Sequence, residues 1–258
     1  MSDPANPDHT RRMYLELLKH CLLGMIYQDP PYIAPSIGGY KTEIYLPQLR
    51  ERGLDVPSQA HSMIGLRRMN NLQACIEQVL VDEVPGDLIE TGVWRGGATI
   101  FMRGVLKAFG ITDRTVWVAD SFAGMPTPDI DTYPMDEFWA ASAGKIVVDL
   151  DTVRHNFALY GLLDDQVRFL KGWFKESLPG VPIEGLAVLR LDGDLYESTL
   201  DALTSLYPKL TPGGFLIIDD YCFASCRQAV RDYRDVQGIQ ETILDIDGSG
   251  AYWRKSFS

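Results

Sequence analysis

No stretch of this chain stays apolar for the roughly 20 residues that a bilayer crossing needs, and the opening MSDPANPDHTRR has no apolar centre of the kind a secretory signal carries. A cytoplasmic protein is the expectation. Basic residues are outnumbered: 24 Lys and Arg against 35 Asp and Glu leave a net charge of -11. That balance argues against a non-specific grip on nucleic acid or an anionic membrane and suits a small neutral or cationic ligand. The 4 cysteines, Cys21, Cys75, Cys222 and Cys226, lack the two close doublets of a zinc site. Three of them lie in helix-like sequence, so they read as reduced, packing thiols. A dinucleotide fingerprint is also missing. Counting from Gly92 in IETGVWRGGATIF, the second required glycine falls on Trp94, a bulky side chain where a pyrophosphate must touch backbone.

What is present is an alternation. At 258 residues the chain is long enough for one sizeable domain with additions. RRMYLELLKHCLLGMIY carries apolar pairs at Met13/Tyr14, Leu17/Leu18, Cys21/Leu22 and Met25/Ile26, a helical stripe. QDPPYIAPSIGGY then reads as a long surface loop, either a binding lid or a linker. A second helix is expected over 63–81. Beyond it, candidate strands at 87–90, 115–120, 167–170, 186–192 and 214–219 are separated by helical patterns at 96–109, 149–160, 197–207 and 223–236. Strands alternating with helices imply an α/β fold, a mostly parallel sheet covered on both faces. ETILDID and AYWRK, joined by GSG, suggest an antiparallel hairpin at one edge. The expected division is an N-terminal helical extension with an acceptor-side loop over 1–62, then a main domain over 63–258 with a lid insert near 121–148.

In such sheets chemistry collects at the carboxyl ends of strands. Glycines after the first strand let the backbone turn tightly and approach a ligand. Asp120, ending the second strand, is placed to take both ribose hydroxyls of a nucleoside, although a strand-end Asp can also cap a helix. Together these favour S-adenosylmethionine as cofactor. LDGDLYES and GGFLIIDDY end two further apolar runs on Asp192, Asp194, Asp219 and Asp220. Adjacent strands lie about 5 Å apart, so unpaired carboxylates there repel one another unless a hard divalent cation, Mg²⁺ above all, lies between them. The competing reading is helix capping by Asp194 and by Asp219 or Asp220. Asp194, two residues past a strand-end ligand, is the candidate general base. Arg95 could meet the carboxylate of the cofactor or pair with a core-edge acid. His61 reads as a cap or packing residue, and the Arg pairs at 11 and 67 as solvated helix faces.

DLIETGVWRGGATIFMRGVLKAFG, VWVADSFAGMP, YGLLDDQVRFLKGWFKESLP, VLRLDGDLYESTLDAL and GGFLIIDDY, with MYLELLKH, IYQDP and AHSMIGLRRMNNLQ, resemble the macrocin O-methyltransferase family over nearly the whole chain. Those enzymes methylate sugar hydroxyls on natural products such as macrolides and aminocoumarins. The resemblance implies a class I S-adenosylmethionine-dependent methyltransferase fold of seven strands, the last antiparallel. It implies that Glu90, Thr91 and Gly92 line the methionine end of the cofactor, that Met63 and Ile64 touch it, that Asp120 holds the ribose, and that Ser121 and Trp173 flank the adenosine. It also implies Mg²⁺ at Asp192, Asp219 and Asp220, with Asp194 as base. The expected partner is a glycosylated small molecule, and a homo-oligomer, a dimer or higher, is expected from the N-terminal helix. Tyr32, Tyr40, Tyr45, Tyr133, Phe138 and Trp139, in the segments least like the family, could stack on a sugar or aglycone or simply pack a lid. A phosphotransferase or a glycosyltransferase would leave the glycine turn and Asp120 unexplained. Other small diols or catechols remain alternative acceptors, and a non-catalytic cofactor-binding protein remains the alternative from another class.

Overall fold

The computed structural model describes residues 7–33, 36–37, 40–41 and 43–257. Seven strands form the central sheet: β1 (Asp87–Thr91), β2 (Val116–Asp120), β3 (Val167–Lys171), β4 (Leu186–Leu191), β5 (Leu210–Ile218), β6 (Leu244–Asp245) and β7 (Ala251–Arg254). Their spatial order is β6-β7-β5-β4-β1-β2-β3. Neighbours from β3 to β5 pair in parallel, whereas β7 runs antiparallel to β5. This is the seven-stranded sheet with an antiparallel last strand that the sequence implies, and the β6–β7 hairpin closes one edge. Strand order reverses between β1 and β4, which makes the crevice beyond their carboxyl ends the topological switch point.

Two cores explain why the strand sequences are apolar on both faces. Leu88, Val118, Val188 and Ile217 point into one core, where α1 (Pro7–Leu22), α3 (Gly65–Val81), α4 (Gly97–Ala108) and α5 (Leu150–Leu159) contribute Leu18, Met69, Phe101 and Phe157. A short α2 (Pro47–Arg52) lies between α1 and α3 in the chain. Ile89, Ala119, Leu189 and Ile218 point into the other core, against α7 (Tyr196–Leu206) and α8 (Ala224–Gln237) through Leu203 and Val230. A brief α6 (Phe174–Ser177) follows β3. The strict alternation has a consequence at the strand ends. Two residues beyond Leu88 is Glu90, two beyond Val188 is Arg190, and two beyond Ile217 is Asp219, so three charged side chains leave the same face of three adjacent strands.

The first helix differs from its apolar stripe. It starts at Pro7, ahead of the stripe, and ends at Leu22, short of Met25 and Ile26. Gly24 takes a left-handed φ of 63, the conformation that ends helices at glycine. Leu15, Leu18 and Leu22 belong to the same core as the sheet. In the described part of QDPPYIAPSIGGY, Pro31–Ile33 pairs antiparallel with Val56–Pro57. Fully buried Arg50 ties this region together by bonding Asp55 and the carbonyls of Leu23 and Asp29. Inside the insert, Pro134–Ser142 is 3-10 helical. Among the described residues no helix is long and apolar enough to cross a membrane.

Candidate active site

A cavity of about 820 Å³ opens beyond the carboxyl ends of β1, β2, β4 and β5. Met63, Ile64, Glu90, Gly92, Asp120, Ser121 and Trp173 all border it, and so do Asp192, Asp194, Asp219 and Asp220. The turn after β1 comes within touching distance of the end of β4. Gly92 has φ +85, and a Cβ there would lie 1.7 Å from the Asp192 carbonyl oxygen, so no other residue fits. Trp94, at φ 47, stands in the cavity wall, where the glycine of a pyrophosphate site would have to be.

Asp120 caps no helix. Its carboxylate accepts from the amides of Val93 at 2.8 Å and Phe122 at 2.7 Å, which fastens the glycine turn to the end of β2. Burial pushes its carboxyl above the ordinary Asp range, against the pull of those amides. Ser121 donates to the Gly124 carbonyl at 2.9 Å, which closes the next turn.

Two of the expected cofactor contacts stand apart from the cavity. Thr91 is 1% exposed and does not border it; its carbonyl accepts from the amide of Asp192 at 2.9 Å. Arg95 also lies off the cavity lining, and no ion pair joins it to an acid among the described residues. Its guanidinium donates to the carbonyls of Pro57, Ser58 and Ala60 and lies over the Trp94 ring at 4.1 Å. It therefore fixes the N-terminal segment to the glycine turn. The geometry gives no support to a meeting with a ligand carboxylate.

The four acids meet as their strand positions require. One carboxylate oxygen each from Asp192, Asp219 and Asp220 lies within 4.8 Å of the others. Helix capping does not account for them. The N-cap of α8, Phe223, has no capping side chain, and the first amides of α7 are taken by Asp136 of the insert at 2.6 and 3.1 Å. Asp194 has φ 58, donates its amide to Asp220 at 3.1 Å, and accepts at its carbonyl from Ser225 Oγ at 3.1 Å. Burial first, and the charges of Asp192 and Asp219 next, push the Asp194 carboxyl up to about 8. Burial and the Asp219 charge raise Asp192 to about 6. Asp220 is raised well above its ordinary value by burial and the Asp194 charge.

Cations already stand inside this cluster. Arg190, 1% exposed, projects from β4 and donates to Glu90, to Asp219 and, at 2.8 Å, to Asp192. Arg68 of α3 donates to the second oxygen of Asp219 and pairs with Asp247 at 3.2 Å. The expectation that both arginines of the 67–68 pair are solvated therefore holds only for Arg67, which is exposed and bonds Glu51. Neighbouring helix residues differ by about 100° of rotation, which puts Arg68 on the buried face. At the other pair, Arg11 is only partly exposed: it bonds Asp8 and the Ala108 carbonyl and lies over Phe109. Arg190 is not among the residues singled out from the sequence; its one local signal is its place two residues before Asp192 on the same strand face. Even so, five carboxyl groups share two guanidiniums, and one oxygen of Glu90 is buried without a partner among the described residues. Burial raises the Glu90 carboxyl to about 8 despite Arg190. An excess of carboxyl groups over guanidiniums, with three oxygens converging, is a donor set that fits a divalent cation, whose charge would favour the ionised carboxylates.

Replacing Arg190 with Met would strand Glu90 as a buried carboxylate and leave Asp219 held by Arg68 alone. The unfolding free energy is expected to drop by about 3–5 kcal/mol. Urea denaturation reads it, and an unchanged midpoint would mean that the acids do not depend on Arg190.

His61 packs on Tyr160, with Nδ1 2.8 Å from its hydroxyl and the rings edge-on, and it borders the cavity as well. Of the aromatics in the divergent segments, Trp139 borders the cavity. Phe138 packs on Phe223 and Trp139, Tyr133 on Tyr196, and Tyr45 under Arg50. Tyr32 is 76% exposed. The side chain of Tyr40 lies outside the described residues.

Strand order and antiparallel final strand make the chain a class I methyltransferase by fold. It belongs to the macrocin-O-methyltransferase family (TylF), whose model matches residues 11–255, and it is an O-methyltransferase. The chain is 54% identical over 256 residues to mycinamicin III 3''-O-methyltransferase of Micromonospora griseorubida, covering 97% of this chain and 99% of that one. It is also 54% identical over 249 residues to 8-demethyl-8-(2,3-dimethoxy-alpha-L-rhamnosyl)-tetracenomycin-C 4'-O-methyltransferase of Streptomyces olivaceus, covering 96% and 94%. The solved structure of the O-methyltransferase NovP is similar at a TM-score of 0.89 and 47% identity, covering 95% of this chain and 99% of that chain.

Proposed function

We propose that the protein transfers a methyl group from S-adenosylmethionine to a sugar hydroxyl of a glycosylated natural product, with Mg²⁺ as a second cofactor. The observation that carries the reading is the convergence of Asp192, Asp219 and Asp220 at 4.8 Å or less beside a fourth acid, Asp194, in the same cavity. Both relatives at 54% identity are named as O-methyltransferases, one of them for a rhamnosyl-bearing tetracenomycin, which supports this acceptor class over other diols and catechols. In the proposed arrangement Asp120, Ser121 and Trp173 hold the nucleoside. Glu90, Gly92, Met63 and Ile64 face the methionine end. Asp192, Asp219 and Asp220 would hold Mg²⁺, which when bound supplies a Lewis acid for a pair of neighbouring hydroxyls.

Asp194 receives the proton of the hydroxyl that reacts. As the oxygen–methyl bond forms, the sulfur–methyl bond breaks and S-adenosylhomocysteine leaves; no covalent link to the protein is needed. Most of the rate then comes from aligning oxygen, methyl and sulfur in a site closed to water. A reducing, cytoplasmic setting suits the four free cysteines.

The direct test is a panel of glycosylated natural products, each with and without a free hydroxyl next to the candidate position, followed by mass spectrometry. Methylation of sugars that carry the hydroxyl pair is expected, with micromolar S-adenosylmethionine binding by calorimetry. Methylation confined to non-sugar diols would replace the acceptor class. Binding of a nucleotide-sugar alone would end the methyl-transfer reading.

A further inference from the structure

The insert between β2 and α5 is fastened at one point by a carboxylate. Of residues Pro134–Ser142, all of them described, only Asp136 is buried, at 0% exposure. A lone acid is an unusual anchor for a surface segment, because burying it costs free energy unless its oxygens are satisfied. Both are satisfied: Asp136 accepts from the amides of Tyr196 at 2.6 Å and Glu197 at 3.1 Å. Those are the first free N–H groups of α7, an 11-residue helix whose own N-cap, Leu195, offers no capping side chain. A carboxylate at that helix end is favoured by hydrogen bonding and by the helix dipole together.

The helix end in question begins two residues after Asp194. A second tether reaches Asp194 from its other side. Trp139, three residues beyond Asp136, donates Nε1–H to Ser225 Oγ at 3.2 Å, and Ser225 donates its hydroxyl to the Asp194 carbonyl at 3.1 Å. Trp139 also packs edge-on against Phe223 at 4.8 Å, and both rings border the cavity. The insert thus grips the segment around Asp194 from the helix amides and from the carbonyl. Between those grips Asp194 holds a left-handed φ of 58, a conformation that persists where surrounding contacts over-determine it.

We propose that Asp136 is a positioning residue for methyl transfer: a carboxylate latch that docks the insert on the N-terminus of α7, fixing Trp139 on the acceptor side and the backbone that carries Asp194. The inference rests on Asp194 as the proton acceptor. It assigns the insert a part in the chemistry as well as in covering the cavity. Nothing in it requires Asp136 to touch substrate or cofactor.

The test compares Asp136→Ala with Asp136→Asn in the full-length enzyme with both cofactors and a methylated acceptor. Alanine removes both bonds, whereas the asparagine carbonyl can still accept one. In Asp136→Ala, kcat is expected to fall roughly 10- to 100-fold and the acceptor KM to rise, with S-adenosylmethionine affinity unchanged. Hydrogen exchange at the amides of Tyr196 and Glu197 should accelerate, and the insert should become more sensitive to limited proteolysis. Asp136→Asn should lie between alanine and wild type in every one of these readouts. Wild-type kcat and KM in Asp136→Ala, or an equal loss of cofactor affinity and kcat, would overturn the latch. Should the alanine variant fail to fold, Trp139→Phe cuts the second tether alone: lowered kcat supports the proposal and a wild-type value counts against it. Failure of the base assignment is a separate result, because Asp194→Asn would then turn over normally whatever Asp136 does.

Discussion

Freed of divalent cations with EDTA and desalted, the enzyme is expected to lose methyl transfer, by about 10³-fold or more if the cation contributes the several kcal/mol typical of such sites, and to regain it on adding Mg²⁺. The expectation comes from the charge inventory around the cavity. Glu90, Asp192, Asp194, Asp219 and Asp220 converge where Arg68 and Arg190 are the only guanidiniums bonded to the cluster among the described residues, and Arg68 is shared with Asp247. Both oxygens of Asp219 are already held by arginine, so the protein can build the site without a metal. Chelation should therefore leave the fold intact while removing turnover. That separation makes the result informative. A carboxylate has more lone pairs than those two bonds use, so Asp219 can remain a ligand while both arginines stay in place. A readout independent of turnover is the melting temperature, which should rise with Mg²⁺ concentration because a ligand that binds only the native state stabilises it. Full activity in chelator, with no thermal shift, would remove the metal from the reading.

The lattice of strand ends that supports this prediction was half visible in the sequence. Asp192 and Asp219 could be placed because each ends an apolar run, and strands separated by one crossover usually neighbour each other. Leu191 does pair with Ile218. Arg190 was harder to see. In LAVLRLD it looks like a polar interruption of a core strand, and its partner Glu90 is 100 residues away, opposite it only because β4 lies beside β1. Strand order is a tertiary fact that no local pattern carries. Arg68 is the same lesson on a helix: adjacent arginines look alike in sequence, yet one faces Glu51 and solvent and the other Asp219.

Arg95 shows how proximity in sequence misleads. It follows the glycine turn, as a cofactor-binding residue would, but the carbonyls of Pro57, Ser58 and Ala60 arrive from the N-terminal segment and claim its guanidinium. Asp136 was missed for a related reason. Helix-capping patterns are sought just before the helix, and the acid that caps α7 comes from an insert 60 residues earlier. Local signals located the helices, the strands and the acids. Long-range pairings decided which charges are neutralised.

Asp194→Asn is expected to reduce kcat by about 10²–10⁴-fold while leaving S-adenosylmethionine affinity nearly unchanged. The substitution is close to isosteric, and asparagine, like aspartate, tolerates the left-handed backbone that position 194 adopts. Its amide can still donate to Asp220, and its carbonyl can still accept from Ser225, because both bonds are made by the main chain. What asparagine lacks is the ability to take a proton. The burial and neighbouring charges that lift the Asp194 carboxyl to about 8 make it a stronger base than an exposed aspartate, which is the direction a proton acceptor needs near neutral pH. Asp120, Ser121 and Trp173, the proposed nucleoside contacts, make no hydrogen bond to residue 194, so cofactor binding has no reason to weaken. Steady-state kinetics and calorimetry on one preparation separate the two quantities. A variant with wild-type kcat would show that the proton leaves by another route, and one that loses rate and cofactor affinity together would recast Asp194 as part of the binding surface.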